Sequence, residues 1–313
     1  MPGGRSLLAV VAALAVGAGV TGCTSNDDRV PAGQLRIATG SSGGVYFSYG
    51  KGIADAVRRR IPELKPTVLE TAASAQNLRM VATGEAEIGF AQADTAAEAV
   101  AEGARVVALA RLYDDYLHLV VRQDSPIVKL ADLAGKRVSI GAQGSGTLGT
   151  TLRLLDLPGI ELASRIEQHQ LGLDPSAAAL QAGTIDAFFF SGGLPVGRVR
   201  ELSTRLPIRL VPIGQYASQL RAEFGQYYAE HTVPESTYGL QPVSTIGIPN
   251  YLVVSADLPE QTGYALTRTL FDEQAELEKA HPVAARLNPR EAIYTHPLAL
   301  HPGARRYFRE IKP

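Results

Sequence analysis

The chain has no tryptophan, two methionines and one cysteine, Cys23. A single thiol forms no internal disulfide and builds no multi-cysteine zinc site. Charge of one sign is also missing: 30 Lys and Arg against 31 Asp and Glu leave a formal net charge of −1. The signs are interspersed, so no basic face for a polyanion is visible and no nucleic acid is expected as partner. His, Asp and Glu nowhere fall at metal-ligand spacing on a recognisable element, and neither a metal nor another cofactor is expected. Long hydrophobic runs are scarce as well. The apolar stretch Leu7 to Val20 falls short of the ~20 residues that a membrane-spanning helix needs.

That stretch follows Arg5 and has the length of a signal-peptide core. It ends in Val20-Thr21-Gly22-Cys23, a small-small-Cys ending that resembles the lipobox of bacterial lipoproteins. Residues 1–22 are therefore expected to be a signal peptide, and Cys23 the acylated first residue of the mature protein. Residues 23–33, polar and with Pro31, read as a tether. Two or more acyl chains suffice for stable anchoring, which places the body outside the cytoplasm and on the membrane. An ordinary signal peptide that happens to contain a cysteine is the alternative.

What remains is an α/β body, large enough for two lobes. Leu35–Thr39 reads as a strand, Gly40–Gly44 as a loop and Val45–Arg60 as a helix closed by Pro62. Pro66–Leu69, Ala75–Thr83 and Ala86–Phe90 continue the alternation, with Asp94 as N-cap of a helix to Ala101. The pattern then starts again: Arg137–Ile140 strand, Gly141–Gly146 loop, Thr147–Asp156 helix. Residues 80–94 and 179–193 echo each other as helix end, Gly, acidic residue three later, apolar strand and polar loop. Tyr116–Arg122 and Asn250–Ser255 are the strand-like runs able to pass between the two units. The arrangement expected is a clamshell, with lobe 1 formed by 34–119 plus 252–313 and lobe 2 by 120–251. Its ligand would lie at the carboxyl ends of the strands.

Both Gly-rich loops open helices, whose unpaired N–H groups suit a carboxylate or phosphate. Ser41, Ser42, Gly43, Gly44 and Tyr46 are candidates in the first loop, and Gly144, Ser145, Gly146 and Thr147 in the second. Ser74 and Asn77 at the second helix, Gln92 and Asp94 after a strand, and Ser191, Gly192 and Gly193 after its echo complete the polar set. Tyr113 and Tyr238 are candidate walls, whereas Phe188–Phe190 reads as buried strand and not as a platform. Two enzyme motifs also match. Gly40–Gly44 fits the G-x-S-x-G nucleophile elbow, but three of the six histidines precede proline near the C-terminus. Gly144–Gly149 fits G-x-G-x-x-G, a weak signal without an acidic partner after the next strand.

Taken together, IATGSSGGVYFSYG (37–50), SAQNLRMVATGEAEIGFAQAD (74–94), LYDDYLHLVVRQDS (112–125), LADLAGKRVSIGAQGSGT (130–147), LQAGTIDAFFFSGGLP (180–195) and LHPGARRYFRE (300–310) resemble the TAXI family of TRAP-transporter solute receptors. The resemblance implies a type II periplasmic-binding-protein fold, no catalysis, and delivery of a small organic anion or amino acid to a TRAP permease. Glutamate and glutamine are the solutes it suggests. Ligand contacts would fall on the loops and polar residues named above, with Tyr113 among them, in a protein expected to be a monomer. A module for an ABC-type permease or a signalling system is the alternative, and a secreted esterase a remote one. For the anchor, Cys23→Ala should leave the body folded but release it from membranes. Retention of that variant through a carbonate wash would show that something other than the cysteine holds it.

Overall fold

The computed structural model describes residues 29–312, so Cys23, the expected signal peptide and the first part of the expected tether lie outside the described residues. A first unit comprises β1 (Gly33–Ala38), α1 (Val45–Arg60), β2 (Leu64–Leu69), α2 (Ser74–Ala82), β3 (Ile88–Gln92) and α3 (Ala93–Ala101), followed by the long β4 (Val106–Arg122). A second comprises β5 (Arg137–Ser139), α4 (Gly146–Leu155), β6 (Glu167–His169), α5 (Leu173–Ala182), β7 (Ala187–Gly192) and α6 (Gly197–Arg205). Then come β8 (Ile208–Leu210), α7 (Ala217–Phe224), β9 (Ala229–Val233), α8 (Glu235–Tyr238) and the second long strand, β10 (Val243–Ser255). The chain ends in α9 (Glu260–Asp272), α10 (Gln274–Ala280), α11 (Pro289–Ala292) and α12 (Pro302–Glu310). Among the described residues no helix is long and apolar enough to cross a membrane.

The two units have the same wiring. β1 lies between β2 and β3, parallel to both, and β5 lies between β6 and β7, parallel to both. The acidic residue of the sequence echo has the same task in each. Glu87 takes the guanidinium of Arg36 on β1 at 2.6 Å, and Asp186 takes that of Arg137 on β5 at 2.7 Å. Each carboxylate also accepts the backbone N–H of its arginine. The glycine three residues earlier has a positive φ in both copies, 75° at Gly84 and 72° at Gly183. A glycine reverses the chain there without the steric penalty that a Cβ would bring. The pairs are half-exposed and add little stability. Their effect is to set where each central strand begins.

β4 and β10 join the units. At 17 residues, β4 spans roughly 55 Å at ~3.3 Å per residue, and it serves both halves. Its first part pairs with β10 and, at Ala108, bridges Leu300, whereas Tyr116–Val121 pairs with β7 and Val120–Arg122 with β8. β10 pairs with β9 through Val243–Gly247 and with β3 through Asn250–Val254. Partners therefore change near Asp115–Tyr116 and Gly247–Asn250, slightly ahead of the 119/120 and 251/252 limits expected from sequence. The ladder to β7 already claims Leu117.

Packing explains the helices. On α1, Tyr49, Ile53 and Val57 recur at four-residue spacing, are at most 2% exposed, and share a core with Ile37, Phe90 and Leu252. Each such side chain contributes roughly 1.5–3 kcal/mol by leaving water. Leu266, Leu270, Tyr307 and Phe308 of α9 and α12 close the same core, so the C-terminal helices return to the first unit. The second unit has a smaller core around Leu173, Phe188 and Val199. A third cluster is continuous across both units and includes Ala91, Leu117, Leu154 and Tyr251.

Asp94 is the polar centre of that crossing. It lies inside the first turn of α3, and the residue at the cap is Gln92. Its Oδ2 accepts from Thr150 at 2.6 Å, from Arg153 at 2.9 Å and from Tyr228 at 3.0 Å, all contributed by the other half of the chain. Asp94→Ala leaves the 15%-exposed Arg153 side chain without its buried partner. Arg153 keeps the exposed Glu98 at 2.8 Å, so the expected cost is about 1–3 kcal/mol, read as a lower denaturation midpoint, together with a larger radius of gyration in solution scattering. If both values stay at wild type, this cluster does not hold the lobes together.

Candidate functional site

A cavity of about 90 Å³ lies between the units. On the same measure one water needs roughly 10–15 Å³, so the space suits a small molecule and not a polymer. Four helices begin on its wall. α1 enters from Gly44, α2 from Ala73, α4 from Ser145 and α5 from Gly172, and all four of these residues line the cavity. Only α4 has a side-chain cap, the Ser145 hydroxyl accepting from Leu148 N at 3.1 Å. Helix starts leave N–H groups unpaired and carry about half a positive charge each. Their convergence creates a site for negative charge.

The local backbone is bent to allow this. Ala73 has φ 87°, a conformation that costs a non-glycine residue of order 1–3 kcal/mol. The Thr71 hydroxyl braces the bend by accepting from Ala73 N at 3.0 Å. Gly146, the first residue of α4, faces the opposite unit so closely that a Cβ there would meet Gln92 Oε1 at 2.1 Å. Glycine is thus required for the approach of the two halves.

The floor is polar. Gln92 Nε2 donates to Asp115 Oδ2 at 2.8 Å and, across the units, to the Ser191 hydroxyl. Ser74 Oγ accepts from Gln92 N at 3.2 Å, and Thr147 Oγ1 accepts from Ser191 N at 3.1 Å. As acceptors, the Ser191 and Thr147 hydroxyls keep a proton for a ligand, whereas the Ser74 hydroxyl faces the Tyr46 oxygen at 3.3 Å. The Tyr46 phenol donates to Asn250 Oδ1, and burial holds its pKa well above the usual value, so it stays neutral. Asp115, 2% exposed, is the one carboxyl on the wall among the described residues. Burial pushes it up to about 7, against the lowering pull of the Gln92 and Asn250 amides. Among the described residues lining the cavity there is no Lys, Arg or His.

The expected residues divide. Ser41, Gly44, Tyr46, Ser74, Gln92, Ser145, Gly146, Thr147, Ser191 and Gly192 line the cavity. Ser42 and Gly43 are turned outward: Ser42 N donates to Glu70, and Gly43 packs against the Asp174 carboxylate. Asn77 lies behind the wall, where its amide donates to Thr39 O and Phe90 O and ties β1 to β3. Asp94 is spent on the contact between units described above. Tyr113 and Gly193 pack against one another off the cavity, and Gly144 meets Ala72 at its rim. Tyr238 supports the fold instead, its hydroxyl bonded to His118 and to Val196 N. Sequence reasoning missed Asp115, the Thr71–Ala73 bend, the Leu171–Leu173 entry to α5 and Phe190. Phe190 is the correction to the buried-strand reading: Phe188 and Phe189 are buried, but the next ring faces the ligand space. The adjacent pair Asp114-Asp115 inside an apolar strand was the available signal, because alternation sends its two members to opposite faces.

Asp115 makes stability depend on pH in a set direction. Between its ordinary value of 3.8 and about 7 the folded state binds one proton more than the unfolded chain. Stability from this group therefore falls as pH rises through that window, by up to roughly 4 kcal/mol, and levels off above it. Thermal melts of ligand-free protein from pH 4 to 8 should show Asp115→Asn gaining on wild type as pH rises. A constant difference between the two would mean that Asp115 is ionised throughout.

The fold has solved relatives. The periplasmic aliphatic sulphonate binding protein of Escherichia coli is 19% identical, with TM-score 0.52 over 91% of this chain and 84% of that one. A binding component of an ABC phosphonate transporter from Pseudomonas aeruginosa has TM-score 0.55 at 12% identity, over 80% of this chain and 78% of that one. A putative L-cystine ABC transporter protein of Listeria monocytogenes has TM-score 0.52 at 17% identity, over 83% and 98%. The architecture is that of the type II periplasmic binding proteins. A family model extends over nearly the whole described region, residues 37–311, and the chain belongs to the NMT1-like family.

Proposed function

We propose that the protein is an extracytoplasmic solute receptor, which captures a small organic anion between its lobes and presents it to a membrane permease. One observation carries this reading: four helix N-termini converge on a cavity between the two units that has no Lys, Arg or His among its described lining residues. A hydrogen bond to a charged acceptor contributes roughly 1.5–3 kcal/mol, and each helix terminus about 0.3–1 kcal/mol. A few such donors reach the ~8 kcal/mol of micromolar binding without a salt bridge. A binding role also accounts for the enzyme-like motif, since Ser42 is exposed and no histidine lines the cavity among the described residues. The receptor is proposed to be a monomer held to the membrane by acylated Cys23.

The permease has two candidate classes. The names of the structural neighbours favour an ABC-type partner, and the order of motifs along the chain favours a TRAP-type one. Uptake in reconstituted vesicles separates them, since the first requires ATP and the second an ion gradient. Recognition itself is tested by calorimetry on protein stripped of the solute that native mass spectrometry identifies. Ser145→Ala with Thr147→Val should weaken binding at least tenfold. Arg111→Gln should leave it near wild type, because Arg111 pairs with Asp114 at 2.6 Å away from the cavity. The reverse ranking would replace the helix ends by an arginine clamp.

A further inference from the structure

The first unit has a top and a base. Its parallel strands reach the cavity through Gly40, Thr71 and Gln92, and α1 runs back from Val45 on the wall to Arg60. At 16 residues and ~1.5 Å per residue, α1 sets Arg60 roughly 24 Å from the cavity. The chain enters the fold at this base. Gly33 pairs with Leu64 just beyond α1, and Gly33 N donates to Glu63 O at 3.1 Å. Val30 packs against the core that holds Ile61 and Leu64. It stands seven residues on from Cys23, and that length of chain spans at most ~25 Å. An acyl group on Cys23 would therefore keep the base within that distance of the lipid surface.

The base has the charge for such a neighbour. A groove of about 520 Å³ opens there, lined by Arg60, Arg268, Arg306 and Tyr264, with Asp272 the one carboxylate among the described lining residues. The preference of a helix end for cations accounts for Arg58–Arg60 on the last turn of α1. It does not account for Arg268 of α9 or for Arg306 of α12, which lies over the Tyr264 ring at 4.6 Å. Ion pairing leaves an excess, because Arg59 and Arg60 share Glu273, while Arg58, Arg268 and Arg306 meet Asp55, Asp272 and Glu310. With exposed Arg29, Glu63 and Lys65 the count is seven cations to five carboxylates, in a chain whose total is −1. We propose that this base is a membrane-contact surface, resting on the headgroups of anionic phospholipids in the anchored receptor. Guanidiniums match phosphate oxygens in geometry, and each cation at an anionic surface strengthens the contact about fivefold. The anchor supplies a high effective concentration, so a weak surface suffices to orient the body. The cavity, at the far end of α1, is then clear of the lipid.

The inference rests on acylation of Cys23, and its test separates the two. Membrane-extracted protein is reconstituted into vesicles of phosphatidylcholine, alone or with phosphatidylglycerol added, and pulsed with an amine-acetylating reagent. Mass spectrometry then compares Lys65 at the base with Lys129, exposed between β4 and β5. Phosphatidylglycerol should slow acetylation of Lys65 about fivefold or more relative to Lys129, and molar salt should remove the difference. Arg60→Gln with Arg268→Gln should lose most of that protection. An equal labelling ratio in the two kinds of vesicle overturns the membrane surface and leaves the anchor in place. Protection kept by the double variant overturns the assignment to the groove, provided that variant melts cooperatively. Arg268→Gln alone, at an exposed position, gives the same readout if it does not. An intact mass without acyl chains overturns the anchor, and this pose falls with it.

Discussion

The antiparallel pairing of β4 with β10 is the constraint on which the rest depends. It sets Ile248 opposite Asp115 and Asn250 opposite Tyr113, where the strands leave one unit and enter the other. One member of the cavity floor, Asp115, therefore sits on a connecting strand itself. Asn250 extends the arrangement by receiving the Tyr46 hydroxyl, which ties the start of α1 to β10. Any shift in the register of the two strands would move the buried carboxyl, its amide neighbour and the entry of α1 together.

Around that floor the chain tolerates several unfavourable terms at one place. A carboxyl is held out of water, Ala73 is strained, and helix starts with like partial charge border one cavity. None of these helps an empty protein to fold. The continuous apolar cluster across both units and the contacts of Asp94 offset them. Concentration of cost at the cavity and of stabilisation away from it is the usual division between a binding site and its scaffold.

Much of this was readable in the chain. The bounds of α1 follow from its loop, its apolar spacing and Pro62, and the repeat of helix, glycine, acid and strand is legible at residues 80–94 and 179–193. The Gly-rich loops were legible because glycine and serine before a helix have few other uses. What escaped depends on contacts distant in sequence. Asp94 looks like a local cap, and only the approach of α4 and Tyr228 makes it the centre of a contact between units. Asn77 and Tyr113 have the chemistry of ligand residues but point to backbone and to packing. Asp115 and Phe190 lie on strands whose burial hid them, since an alternating pattern says which residues share a face and not which face borders a void.

The Asp94 cluster also has a kinetic side. In this structure the two halves are already joined by Thr150, Arg153 and Tyr228 on one carboxylate oxygen. For the receptor proposed above, excursions in which those bonds are broken would widen the way in for a solute. The observed association rate is then the encounter rate multiplied by the fraction of time spent unlatched. Substitutions at Arg153 or Tyr228, neither of which lines the cavity, would set how quickly the receptor loads and empties while leaving its choice of solute untouched.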